Sequence, residues 1–286
     1  MKLGSDIRVL HLLPRLESGG VERTVINEAI LQKSLGILPL VISAGGSMVH
    51  ELQDAEIAHL NWNMASKNPL VILVNAFRLV QLIRHQNIQI VHAHSRAPAW
   101  SACLACRIIK ARLVTTFSGL YQQRNAFKRW YNSVMTRGDR IIAPSSFVRE
   151  HIAKYYPHAP GRIAVIPHWI APPPQATEDE KKCIRQELGI PADLPVIAMV
   201  ARLTRWKGHS TLLRALEHLR KIDYFLLIVG APGRAGYERE LKTLVEELGL
   251  RARVLFTAGP ERPHQAYAIA DLVVSASTRP EAFGLN

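Results

Sequence analysis

The chain is poor in cysteine, in acidic residues and in long apolar runs. Three cysteines among 286 residues are too few for a disulfide framework. Cys103 and Cys106 form a C-x-x-C, but within an apolar run of helical spacing from Pro98 to Ile109. A zinc site would need two more ligands, and a redox pair would stand at a strand–helix junction, so they read as small buried thiols. The longest apolar stretch, Pro69 to Phe77, is far below the ~20 residues of a membrane span. The first residues, Met1 to Asp6, carry no apolar core or cleavage signal before a strand-like run, and a cytoplasmic protein is expected. No D-x-D and no G-x-G-x-x-G occurs, and Ser118 lacks a nucleophile-elbow pattern.

Acids number 23 against 36 Lys and Arg, a formal charge of +13. The excess is one-sided. Residues 1–170 hold 20 basic and 9 acidic side chains, and the remainder holds 16 and 14. Between Arg107 and Arg162 stand eleven basic residues with only Asp139 and Glu150 as acids. Such a field suits an anionic partner: nucleic acid, a membrane surface or a phosphorylated substrate.

Short continuous apolar runs alternate with helical-period stretches. Strands are expected at Ile7–Leu13, Leu38–Ser43, Ile90–His94, Leu113–Phe117, Arg140–Pro144 and Ile163–Pro167. Helices are expected at Val21–Leu35, Pro69–His85, Pro98–Lys110, Ala126–Thr136 and Ser146–Tyr156, several opening on Pro or Ser. This pattern predicts parallel sheets covered on both faces. The proline-rich stretch from Ala171 to Thr177 reads as a linker, and the alternation then restarts through Glu178–Leu188, Val196–Val200, His209–Leu219, Phe225–Val229, Tyr237–Leu248, Val254–Thr257 and Pro263–Ala268. It closes on Leu272–Ser275, read as a buried strand. The expected division is residues 1–170, a linker over 171–178 and a second domain over 179–286.

Polar and glycine residues recur where these strands end, the edge at which open α/β sheets bind ligands. Gly19 and Gly20 precede a helix whose first N–H groups are free for an anion, although a plain strand–helix turn fits as well. His92 and His94 share one face of a strand, next to Arg96. Zinc could use such a pair, but spacing offers no third ligand, and a polar pocket wall is the other reading. Ser118 and Gly119 end the next strand and would line the same wall. Arg202 and Lys207, five residues apart between a strand and a helix, can aim at one point beside that helix start, which suits a diphosphate. Glu281 lies in a Pro/Gly loop after the last strand, placed to accept hydroxyl hydrogen bonds.

Together these clusters resemble the GT4 family of retaining glycosyltransferases with the GT-B fold. Gly19, Gly20, Glu22 and Arg23 match its G-G-x-E-R loop. Arg202, Leu203, Lys207 and Gly208 match R-L-x-x-x-K-G. Ser277, Pro280, Glu281, Ala282, Phe283 and Gly284 match the opening of E-x₇-E, whose second Glu would fall beyond Asn286. The resemblance implies an α/β protein of two Rossmann-like parallel-sheet domains facing an interdomain cleft, the second incomplete. It implies a nucleotide-sugar donor held mainly by the second domain and a glycan or glycolipid acceptor held mainly by the first. Arg202, Lys207 and Glu281 would be catalytic: the two cations on the diphosphate, the carboxylate on the donor sugar. Gly19, Gly20, Phe283 and Gly284 would join the donor site, while His94, Arg96, Ser118 and Gly119 would line the acceptor pocket. Ser118 stands where the family often has His, and Val165-Ile166-Pro167-His168-Trp169 where it has V-I-P-N-G. The family needs no cofactor or metal, which fits the missing D-x-D: protein groups would neutralise the leaving diphosphate.

The expected activity is transfer with retention, in bacterial surface polysaccharide or lipopolysaccharide synthesis, with the basic first domain against anionic membrane. A GT-B relative such as a nucleotide-sugar epimerase is an alternative. A nucleic-acid-binding protein is another, for which Tyr121, Phe127, Trp130 and Tyr131 would be stacking platforms; their helical spacing suits core packing equally well, and no nucleic-acid partner is expected.

Overall fold

The computed structural model describes residues 7–17, 19–109, 111–121, 123, 125–169, 175–219, 221–233, 236–259 and 262–284. The chain divides into two compact units, Met1–Ala171 with Ala282–Leu285, and Pro172–Glu281 with Asn286. The first half of the expected linker, residues 171–174, lies outside the described residues.

The first unit runs β1 (Arg8–Leu12), α1 (Gly20–Ser34), β2 (Leu38–Ser43), α2 (Val49–Asp54), β3 (Ala58–Asn61), α3 (Pro69–His85), β4 (Ile90–Ala93), α4 (Arg96–Ile109), β5 (Arg112–Thr116), α5 (Ala126–Asn132), β6 (Arg140–Ala143), α6 (Ser146–Tyr155) and β7 (Ile163–Val165). Its seven strands are parallel in the order β3-β2-β1-β4-β5-β6-β7. Apolar side chains cover both faces. Leu10, Leu12, Val91 and Leu113 pack under α3 and α4, and Leu13, Val25, Ile26 and Val41 form a separate cluster beneath α1 and α2. Cys103 and Cys106 are buried in α4, as their spacing predicts.

Helix starts follow local chemistry. Asn68 caps α3 by accepting from the Leu70 N–H at 2.9 Å, with Pro69 at the first helical position, where its missing N–H costs nothing. Ser145 caps α6 through the Val148 N–H. Thr177 and Glu180 form a reciprocal capping box at the start of the second unit.

That second unit comprises α7 (Glu178–Glu187), β8 (Val196–Val200), α8 (His209–Glu217), β9 (Phe225–Val229), α9 (Tyr237–Glu247), β10 (Val254–Thr257), α10 (Arg262–Ile269) and β11 (Leu272–Val273). The sheet is again parallel, ordered β10-β9-β8-β11. All five residues of β9 are buried, as a central strand between two helix layers requires.

Three sequence expectations need correction. Two elements of the first unit, α2 and β3, were not expected: α2 spans only six residues, and β3 reads Ala-His-Leu-Asn at the sheet edge. The last strand is not buried. It spans two residues rather than four, and Leu272 and Val273 are 56% and 43% exposed, because β11 is an edge strand paired only with β8 among the described residues.

Candidate functional site

Each sheet reverses its strand order at one point. In the first unit the order turns between β1 and β4, and in the second between β8 and β11. It is at such a point, at the C-terminal edge of the strands, that this class of sheet binds its ligand in a crevice between loops.

In the second unit the loops after β8 and β11 meet. The β8 loop passes through Arg202 and a short 3₁₀ turn, Arg205–Lys207, to Gly208. Gly208 has φ of +82°, and a Cβ there would stand 1.8 Å from the Ala276 carbonyl oxygen. Only glycine fits both the left-handed backbone and that approach. The β11 loop is tied back at the Trp206 carbonyl, which accepts from the Thr278 N–H at 2.8 Å and the Thr278 hydroxyl at 3.2 Å. These ties bring Lys207 Nζ to 2.8 Å from both carboxylate oxygens of Glu281, and the Ser277 hydroxyl also donates to Glu281 Oε1. Lys207 and Glu281 are largely buried, and the ammonium also lies 4.7 Å from the Trp206 ring centroid.

Arg202 is exposed and makes no ion pair among the described residues. Of the two cations expected to converge, Lys207 is therefore engaged by Glu281, while the guanidinium stands toward solvent. Two further glycines belong to this crevice. A Cβ on Gly230 would lie 1.9 Å from the Ala201 oxygen, and one on Gly233 2.3 Å from the Leu203 oxygen. They seat the β9 loop against the β8 loop. Their signal was a Gly-x-x-Gly directly after the apolar run Phe225–Val229. A separate cleft of about 640 Å³, lined by Lys181, Lys182, Arg185, Asp193 and Asp271 among others, opens where the strands begin, the edge opposite to that used by ligands in such sheets.

In the first unit, Gly19 and Gly20 open α1, with the Arg23 N–H donating to the Gly19 carbonyl. Arg23 itself forms a two-pronged ion pair with Glu51 of α2. His92 and His94 sit at the end of β4 and are buried. Register pairs His92 with His11 of β1, so the strand pairing adds a third imidazole to the same place. Glu28, from the middle of α1, adds a carboxylate.

His11 Nδ1 lies 3.0 Å from His94 Nε2, while His11 Nε2 lies 2.8 Å from Gln32 Oε1 and His92 Nε2 lies 2.6 Å from Thr116 Oγ1. Burial pushes the His11 pKa down to about 4 and those of His92 and His94 well below the usual imidazole value; it pushes Glu28 up to about 7. Burial therefore favours the neutral form of each group, most strongly for the three imidazoles. Sequence spacing gave no sign of His11 or Glu28 as partners, although a histidine inside the apolar β1 was a visible oddity.

Arg96 begins α4, donating to Asn132 Oδ1 at 2.9 Å and lying 4.4 Å from the Tyr121 ring centroid. Ser118 and Gly119 follow β5 and are half-buried. Phe283 stands edge-on to His168 with ring centroids 5.3 Å apart, and Gly284 is exposed.

Two parallel sheets, each with polar side chains gathered at its switch point, define an α/β class that binds ligands at the C-terminal edge of its strands. Residues 18–172 match the family described as Glycosyltransferase Family 4, and residues 180–286 match Glycosyl transferases group 1. The chain belongs to this glycosyltransferase family and has the GT-B type of fold. It is similar to a glycosyltransferase from Rickettsia africae of known structure, 37% identical over 99% of this chain and 76% of that one, with a TM-score of 0.87. An Anabaena protein, HepE, solved with UDP and glucose, shares the fold: 23% identity, 97% and 76% coverage, TM-score 0.84. Among curated relatives, a D-inositol 3-phosphate glycosyltransferase of Xylanimonas cellulosilytica is 33% identical over 159 residues, and a Salmonella typhimurium lipopolysaccharide 1,2-N-acetylglucosaminetransferase is 28% identical over 152. The matches cover 53% and 50% of this chain but only 38% and 39% of those relatives.

Proposed function

We propose that this chain carries the donor and acceptor machinery of a retaining glycosyltransferase that moves a sugar from a nucleoside diphosphate to a glycan or glycolipid, in bacterial cell-surface polysaccharide or lipopolysaccharide synthesis. The observation that carries the reading is the meeting of Lys207 and Glu281 at the second unit's switch point, on loops held together through Gly208 and Trp206. The roles follow from charge. The Lys207 ammonium and the Arg202 guanidinium receive the diphosphate, and as the bond from the sugar's anomeric carbon to the phosphate oxygen breaks, they neutralise the charge that builds there. The acceptor hydroxyl attacks from the face the diphosphate leaves, and its proton passes to the departing phosphate oxygen. Glu281, freed when phosphate takes over Lys207, accepts from the donor sugar's hydroxyls. Gly19 and Gly20, at the start of α1, are assigned an anion contact through backbone N–H groups. Arg96, Ser118 and Gly119 are assigned to the acceptor side, and Phe283 and Gly284 to the donor side; His94, buried beneath the end of β4, is assigned no acceptor contact.

Calorimetric titration with UDP, GDP and ADP tests the site. Arg202→Ala and Lys207→Ala are each expected to weaken the nucleotide that binds by roughly 10- to 100-fold, the worth of one charge-assisted contact. Unchanged affinity in both variants would sink the assignment.

A peripheral membrane contact from the cytoplasmic side is a second part of the proposal. No described helix is long and apolar enough to cross a bilayer. Yet α3 leaves Leu70, Leu73, Val74 and Phe77 exposed, and α5 exposes Phe127 and Trp130 around Lys128 and Arg129. Apolar side chains beside cations suit an anionic lipid surface. Binding to anionic vesicles that falls with salt, and falls further in Phe127→Ser/Trp130→Ser, is the expected result. RNA binding without vesicle binding would favour the nucleic-acid reading instead.

A further inference from the structure

The cluster at the first unit's switch point is a different kind of site from the Lys207–Glu281 pair. His11 comes from β1, His92 and His94 from the end of β4, and Glu28 from α1, with one ligand atom of each within 4.8 Å of all the others. Glu28 Oε2 lies 4.0 Å from His11 Nδ1, 3.6 Å from His92 Nδ1 and 3.9 Å from His94 Nε2. Those separations are too long for hydrogen bonds, which run to about 3.2 Å. They are close to what four ligands need around one ion: bonds of about 2.0–2.1 Å in a tetrahedron set the ligand atoms roughly 3.3 Å apart.

Two further observations point to a ligand at the centre. Glu28 Oε2 is buried and has no hydrogen-bond partner, an arrangement that is costly for a carboxylate. Two of the three outer ring nitrogens are engaged as a metal site requires, while the third, His94 Nδ1, is buried without a partner. With Gln32 Oε1 accepting from His11 Nε2–H, and Thr116 Oγ1 accepting from His92 Nε2–H, both rings turn an Nδ1 lone pair inward.

We propose that His11, His92, His94 and Glu28 form a resident binding site for a single Zn²⁺ or similar first-row transition ion. Three imidazoles and one carboxylate suit Zn²⁺ and its neighbours rather than Mg²⁺ or Ca²⁺, which prefer all-oxygen sets. Four protein ligands close the coordination sphere, so the ion's work is structural: it ties α1, which opens at Gly19–Gly20, to the ends of β1 and β4. Without the ion, His94 Nε2–H donates to the His11 Nδ1 lone pair at 3.0 Å; on binding, that proton leaves Nε2, the ring carries its proton on Nδ1 instead, and Nε2 goes to the ion. The proposal does not depend on the donor-site reading, and its test uses no sugar nucleotide.

The test takes the 286-residue chain without a polyhistidine tag and with Cys183→Ser, since that thiol is exposed. The protein is stripped with a chelator and then titrated with Zn²⁺, and separately with Co²⁺. Expected are one equivalent of Zn²⁺ retained through desalting, intense tetrahedral visible bands from Co²⁺, and a melting temperature raised by roughly 5–10 °C at a hundredfold excess of Zn²⁺ over Kd. Glu28→Gln changes a partly buried ligand on α1 without opening the core and is expected to weaken Zn²⁺ at least tenfold. His94→Gln is expected to abolish the tetrahedral spectrum. No uptake, or uptake unchanged by Glu28→Gln, which would mark an adventitious surface ion, overturns the proposal, and Glu28→Gln decides the matter even if His94→Gln fails to fold.

Discussion

The two units use one topology for opposite electrostatic ends. At the β1/β4 switch point four titratable groups are gathered and burial favours their neutral forms, with imidazole pKa values pushed down and a carboxyl pushed up. At the β8/β11 switch point a cation and an anion face each other directly, with a hydroxyl donor on the carboxylate. The first arrangement is held by strand register, since His11 and His92 are paired residues of adjacent strands. The second is held by loops, locked where Ala276 presses on Gly208 and Thr278 on Trp206. Register fixes side chains rigidly but draws on whatever the strands carry. Loops can be rebuilt around a ligand, and they bear the groups assigned to the donor.

The largest expected effect separates these two means of support. Gly208→Ala forces a Cβ into the Ala276 carbonyl at a left-handed backbone position, and it is expected to cost about 3 kcal/mol or more in urea unfolding. Gly249→Ala is the control. Its φ is also positive, at +66°, but nothing lies within 4 Å of the added atom, so roughly 1 kcal/mol is expected. Equal costs would mean that backbone conformation, not loop contact, governs the second crevice. A smaller effect concerns the first unit. Gln32→Leu leaves the fully buried His11 Nε2 without its acceptor, for an expected loss of about 1–2 kcal/mol. Ser277→Ala removes one of the donors to Glu281 while Lys207 stays, and an expected loss of under about 1 kcal/mol would confirm that the ion pair, not the hydroxyl, holds the second site.

Strand–helix alternation was legible because parallel strands buried on both faces read as continuous apolar runs, and Phe225–Val229 shows it. The edges were not. In β3 a histidine and an asparagine interrupt the apolar run, and α2 is too short to show a period. Conversely, Leu272 and Val273 read as core because composition cannot tell a central strand from an edge one. The Lys207–Glu281 pair was half legible: both residues fall in strand-end loops, but their contact depends on β11 pairing with β8 rather than with its sequence neighbour β10. The histidine cluster was less legible still. His92 and His94 announce themselves by i, i+2 spacing, whereas His11 joins them only through β1–β4 register and Glu28 only through the way α1 packs.

The exposed edge at β11 bears on how the protein behaves at high concentration. Leu272 and Val273 present apolar side chains on a strand whose outer side has no partner among the described residues. Nature usually guards such an edge with charge, proline or a covering segment, because an open row of backbone donors and acceptors is a template for a second copy. Self-association through this strand is the hazard to watch when this chain is concentrated, and a lysine in place of Leu272 is the simplest gatekeeper against it.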